Sequence, residues 1–248
     1  LKLVESFIEG SDNPQFVVQH FVPSLLEAIL GDYHNSVPPA RDPGVLSVLA
    51  IAIRKLKESM LQHIPSVLES VLECTLPMIT ENFEDFPEHR INFFKLLLEM
   101  TRHCFQAMSI VSEALFKLIV ESVLWAVRHT EKNISETGLL VLESLLGHVA
   151  SMDARAAGPF YQTYYLPILE EVFVVMTDTL HKACFKEQAQ VLSHMINLVA
   201  SNQVAVNIFD ASQQPGQSNQ SFLGAYITDM LANSFPNLSR TEIESFVI

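Results

Sequence analysis

A proline, a mostly apolar stretch, a glutamate four places on and a second apolar stretch recur along the chain. Pro23-Ser24-Leu25-Leu26-Glu27-Ala28-Ile29-Leu30 is followed by Pro65-Ser66-Val67-Leu68-Glu69-Ser70-Val71-Leu72 and by Pro167-Ile168-Leu169-Glu170-Glu171-Val172-Phe173-Val174. A copy without the proline lies between, at Lys117-Leu118-Ile119-Val120-Glu121-Ser122-Val123-Leu124. The glutamates at 27, 69, 121 and 171 step by 42, 52 and 50 residues. A helical text with such a period predicts an all-α fold, an α-solenoid of paired antiparallel helices, whose repeats run to roughly 40–47 residues.

The start and stop signals divide this text into helices. Residues 1–9 read as a helix closed by Gly10, and Ser11-Asp12-Asn13-Pro14 restarts one that Gly31 is expected to end. Pro23 falls inside that helix and should bend it, because proline removes an internal hydrogen bond. Val37-Pro38-Pro39-Ala40 reads as an extended linker, and Asp42-Pro43 caps a helix to about Glu58. The next helices are expected over 61–81, 87–108 and 112–129, with a turn from Phe83 to Phe86. Another begins at Asn133 or Ser135, its partner at Gly158-Pro159, and a further one covers 183–201. Ser212 to Ser221 is polar, uncharged and turn-rich, and is expected to be a long mobile loop. A helix over 221–234 follows, and Ser239 with Glu242 forms a capping box for the last. The whole chain, 1–248, thus reads as a single repeat array of about five helix pairs. It begins without Met inside amphipathic text and ends the same way, as a piece of a longer protein would.

Composition narrows the function classes. Apolar residues make up 49% of the chain, fitting helices covered on more than one side. The net charge is −13, and the 15 Lys and Arg do not cluster, so no basic stripe is seen to neutralise phosphates and nucleic acid is not expected as a direct ligand. An acidic surface suits solubility and, equally, a basic protein partner. Cys74, Cys104 and Cys184 lie far apart in helical, largely apolar text and read as buried free thiols, which suits a reducing compartment. No apolar run reaches the length of a membrane span, so no membrane partner is expected.

The search for chemistry finds no phosphate loop, nucleophile elbow or zinc helix, so no enzyme activity, cofactor or metal is expected. Glu88-His89-Arg90 groups three ionisable residues, but at a helix start such residues serve capping and pairing. Glu27, Glu69, Glu121 and Glu171 are expected to be the solvent-facing residues of amphipathic helices; aligned, they would form an acidic strip for a basic partner. Phe160-Tyr161-Gln162-Thr163-Tyr164-Tyr165 is expected to be core between paired helices. Trp125 lies off the stripe of Phe116, Val120, Val123 and Val127 and is expected to pack against a neighbouring repeat, with an exposed anchor as the other use. The residues themselves name no protein-binding site.

The irregular text between the repeated helices carries a resemblance. Pro87-Glu88-His89-Arg90-Ile91-Asn92-Phe93-Phe94 resembles a segment of the exportin-1 family, the nuclear export receptors of the importin-β (karyopherin) superfamily. Ser11-Asp12-Asn13-Pro14-Gln15, His20-Phe21-Val22-Pro23 and Val37 to Ser47 are similar to the same family. So are His103-Cys104-Phe105, His129-Thr130, Thr137-Gly138-Leu139, Phe160 to Tyr164 and Thr177-Asp178-Thr179, all in family order. The resemblance implies the C-terminal HEAT repeats of a ring-like receptor. It further implies that the parent binds leucine-rich export signals on cargo together with the GTP form of the GTPase Ran. Such a receptor passes nucleoporins and shuttles between nucleus and cytoplasm. The family's signal groove, with its reactive Cys, lies upstream of the matched region, so that role is not assigned to Cys74, Cys104 or Cys184. A helical scaffold or adaptor without a transport role is the other reading that the repeats allow.

Overall fold

The computed structural model describes residues 1–81, 84–212 and 214–247. All regular structure among them is helical. The chain forms two compact units, Leu1–Leu145 and Leu146–Ile248, with the boundary inside one helix.

In the first unit α1 spans Lys2–Gly10, α2 Pro14–Phe16, α3 Val22–Asn35 and α4 Pro43–Leu56. They are followed by α5 Ile64–Thr80, α6 Pro87–Met108, α7 Glu113–Val127 and most of α8, Lys132–Ala150. Helix α4 packs on α1 and α6, α3 packs on α5, and α5 closes on α6. This is the two-layer order of stacked helix pairs, each completing its neighbour's core. Leu46, Leu49, Ile53, Val67, Leu68, Phe93 and Phe94 are fully buried in it. In the second unit α9 spans Ala154–Thr177, α10 Phe185–Ala200, α11 Asn219–Ser234 and α12 Arg240–Val247. Here α9 packs on α10, α10 on α11, and α11 on α12.

Most predicted caps are present. Asn13, Asp42 and Ser112 each accept a backbone N–H at 2.8–3.2 Å from the first turn they open. Ser239 and Glu242 make the reciprocal capping box, Glu242 Oε2 accepting from the Ser239 N–H at 2.8 Å and Ser239 Oγ from the Glu242 N–H at 3.3 Å.

Three expectations are corrected. Gly31 does not end a helix: α3 continues to Asn35, whose side chain donates to the Gly31 carbonyl at 2.8 Å. Pro23 stands not in a helix interior but in the first turn of α3, directly after a π-helical turn over Val17–Phe21, where its missing N–H costs little. Helix α9 starts at Ala154, not at Gly158, because the Asp153 carboxylate accepts from both Arg155 and Ala156 N–H groups and so caps four residues earlier; Pro159 and Pro167 then lie inside it. Phe83, in the expected turn before α6, lies outside the described residues.

The segment between Ser201 and the expected loop at Ser212 is held by side-chain bonds. The Asn219 side chain donates to the carbonyls of Val204 and Val206 at 3.1 and 2.7 Å and accepts from the Ile208 N–H at 3.1 Å. Val204 and Ile208 are buried. One amide thus supplies partners for a stretch of backbone that has no helix or strand of its own. Gln213 lies outside the described residues.

Candidate functional site

The text around Pro87 shows what the irregular segments do. Pro87 opens α6, and Arg90, one turn in, is only 1% exposed. Its guanidinium donates to the Ile79 carbonyl through Nε and Nη2, at 3.2 and 2.9 Å, and to the Asp85 carbonyl at 2.9 Å. Ile79 lies in the last turn of α5, where carbonyls lack helical partners and the dipole favours a cation. Arg90 therefore locks the end of α5 to the start of α6. Its Cζ also lies 5.9 Å from the Trp125 ring centre, and Trp125 stacks on Phe94 at 5.9 Å with an interplanar angle of 13°. Trp125 is thus a packing residue between α6 and α7, as expected, and within Glu88-His89-Arg90 it is Arg90 that forms a structural joint.

His129 completes this cluster, 5.0 Å from the Trp125 ring and 4% exposed. Its Nδ1 accepts from the Glu131 N–H at 3.0 Å, which leaves the proton on Nε2 in the neutral ring. Burial, with the Arg90 charge as a second cause, pushes its pKa down to about 4.

A second joint ties α3 to α5 through the linker. Arg41 donates to the carbonyls of Tyr33 and Cys74, both at 3.0 Å. The Tyr33 and Thr75 hydroxyls meet at 2.9 Å in the buried interior. His89 Nε2 lies 3.0 Å from the Arg41 carbonyl, which connects this joint to the first. Neither Arg41 nor Tyr33 stands out in the sequence; the only signal is a lone arginine directly after Pro38-Pro39-Ala40.

The repeated glutamates divide. Glu27, Glu69 and Glu121 are exposed, and Glu121 is held by Lys117 at 3.7 Å. Glu171 is buried, 7% exposed, which corrects its expected place at the surface. The proline is a misleading ruler here. The buried pair Ile168-Leu169 corresponds to Leu25-Leu26 and Val67-Leu68, and the exposed residue after it is Glu170. Glu171 falls three positions after Ile168 and so shares its inward face. Glu170 accepts a short hydrogen bond from Tyr226 on α11.

The aromatic run packs inside, with Phe160, Tyr161 and Tyr165 buried and Tyr165 Oη donating to the Met195 carbonyl at 2.8 Å. All three cysteines are free: Cys104 and Cys184 are buried, whereas Cys74 is half-buried. Burial raises the Cys74 thiol above its ordinary range and pushes Cys104 up to about 11, so both stay protonated near neutrality. Cys104 sits at a kink in α6, with φ −136° and ψ 24°, and its Sγ lies 3.4 Å from the Lys57 carbonyl.

Comparison with known proteins decides the family. The profile described as "CRM1 C terminal" matches residues 1–248. The chain belongs to the CRM1 C-terminal family. Over its full length it is 44% identical to Protein EXPORTIN 1B of Arabidopsis thaliana, 40% to Exportin-1 of Schizosaccharomyces pombe and 39% to Exportin-1 of Drosophila melanogaster. It spans 23% of the length of each. In this CRM1 C-terminal chain the resemblance segments 37–47 and 87–94 hold the Arg41 and Arg90 joints, and Thr137-Gly138-Leu139 holds a close helix contact. No group of His, Cys, Asp and Glu suited to a metal ion occurs among the described residues, and no described helix is long and apolar enough to cross a membrane.

Proposed function

We propose that this chain is the C-terminal portion of a nuclear export receptor, one continuous array of helical repeats that performs no catalysis and needs no cofactor. The observation that carries this reading is the match to proteins named Exportin-1 over 100% of the chain, in an all-α protein of stacked helix pairs. The parent binds cargo bearing leucine-rich export signals together with GTP-loaded Ran, meets nucleoporins in transit, and shuttles between nucleus and cytoplasm. The chain itself serves as wall of the receptor. Cargo and Ran favour the same arrangement of the repeats, so each raises affinity for the other. A stack of helices suits this, because small shifts between neighbouring repeats add along its length.

The test uses the full-length parent and a labelled leucine-rich signal peptide. GTP-loaded Ran is expected to tighten peptide binding by at least about fivefold, the lower end of ordinary allosteric coupling. Peptide affinity that is the same with and without Ran would remove the transport reading.

A further inference from the structure

A cleft of about 700 Å³ runs between α5 and α7 and has no part in either joint. Its volume lies within the range of about 300–1,000 Å³ usual for binding clefts. Glu69 and Glu73, one turn apart on α5, form one wall. Glu121 stands on the other, on α7. The turn between α6 and α7 closes one end with Ile110, which is 76% exposed. Leu115 and Leu118 face the cleft from α7 and are half-buried.

Two properties of this cleft point to the same occupant. The first is apolar surface left in water: Ile110, Leu115 and Leu118 gain from being covered. The second is charge. The single cation of the lining, Lys117, is engaged with Glu121 at 3.7 Å, while Glu69 and Glu73 make no ion pair among the described residues. We propose that the α5–α7 cleft is a docking groove for a basic amphipathic helix of a partner protein, whose apolar side chains cover Ile110, Leu115 and Leu118 and whose Lys or Arg residues meet Glu69 and Glu73.

A helix fits better than an extended segment. The walls are helices whose backbone groups are already bonded internally, so they offer an extended peptide no edge on which to satisfy its own N–H and C=O groups. A helix satisfies its own and presents anchors at i, i+3, i+4 and i+7. A second copy of the chain is disfavoured by its net charge of −13. An acidic or uncharged leucine-rich peptide would bring apolar anchors without pairing the two carboxylates. The groove therefore takes a different ligand from the export signal, and this inference stands independently of the transport reading.

The probe is a fluorescent amphipathic peptide of about 14 residues, with Leu at helical i, i+3, i+4 spacing and Lys elsewhere, together with a twin carrying Glu in place of Lys. Binding to the 248-residue chain is read by anisotropy at physiological salt, with circular dichroism of every variant. The lysine peptide is expected to bind, and the glutamate twin at least about tenfold more weakly. Glu69→Lys with Glu73→Lys should weaken the lysine peptide by about tenfold or more, and Ile110→Ser by about threefold. All three positions are exposed, so these changes leave the core intact. Asp32→Lys with Glu187→Lys changes the net charge equally but lies outside the cleft, and should alter binding by less than about twofold. No binding by the lysine peptide would overturn the proposal. So would equal weakening by the control pair, which would mean attraction to overall negative charge, or an Ile110→Ser variant that binds as the unchanged chain does.

Discussion

Arg90→Met will lower the stability of the chain by about 2 kcal/mol. Methionine retains much of the apolar stem but donates nothing. The carbonyls of Ile79 and Asp85 each lose the guanidinium that meets them at 2.9 Å. Leaving the buried Ile79 acceptor unsatisfied costs about 1–3 kcal/mol, while Asp85 is exposed and its carbonyl can turn to water. Arg90→Lys will recover only part of the loss, because an ammonium lacks the planar fork that reaches both carbonyls. Urea unfolding followed by circular dichroism measures this, and a loss below about 1 kcal/mol would show that the joint between α5 and α6 does not depend on Arg90.

The same variant has a signature in acid. His129 is neutral in the folded chain, its pKa held at about 4 against an ordinary 6.5. A group with a depressed folded pKa contributes its full stability above the unfolded value and loses it as pH falls. Stability should therefore decline between pH 6.5 and about 4, by up to about 1.4 kcal/mol per pH unit from this one proton. The Arg90 charge is the second cause of the depression, after burial. Arg90→Met raises the folded pKa of His129 and makes the acid loss smaller than in the unchanged chain. An acid limb of the same size in both would mean that the two residues do not sense each other.

The second large effect is at Gly138, and its sign runs against helix propensity. Alanine is favoured over glycine in a helix interior by about 1 kcal/mol. Gly138 lies in α8, however, where an added Cβ would stand 2.8 Å from Ala126 Cβ and 3.0 Å from the Val127 backbone nitrogen at the end of α7. Backbone cannot swing aside as a long side chain can. Gly138→Ala is expected to destabilise by about 2 kcal/mol net, as overpacking typically costs about 1–3 kcal/mol. Gly224→Ala, with open space around the added carbon, is the control and should be neutral or slightly stabilising. An equal response at the two glycines would show that α7 and α8 have room to part.

The contrast between these glycines marks how far the sequence could be read. Caps were legible because their chemistry is local: Asn13, Asp42, Ser112 and the Ser239–Glu242 box each act within three residues of their own position. The paired helices were legible from apolar patterning. Gly31 misled because a glycine ends a helix only when the residues after it cannot continue, and Asp32 to Asn35 continue α3. Glu171 misled because the proline, not the buried apolar pair, set the ruler. The joints were hidden because their partners are distant in the chain: Arg41 to Cys74, Tyr33 to Thr75, and His89 to Arg41. The α5–α7 cleft was half-legible, as exposed glutamates at a repeat spacing. Its apolar end at Ile110 comes from a turn that the pattern did not mark as part of a surface. In the resemblance, residues 87–94 identified the family; in the structure Arg90 within them joins α5 to α6.

In the function proposed above, this chain is wall, and the export-signal groove lies elsewhere in the parent. Titration calorimetry of a leucine-rich export-signal peptide into the 248-residue chain tests it most directly. The predicted result is no saturable binding, or a dissociation constant no tighter than about 1 mM, equivalent to about −4 kcal/mol. One-to-one binding at micromolar concentration or tighter would contradict it and place a signal groove within residues 1–248.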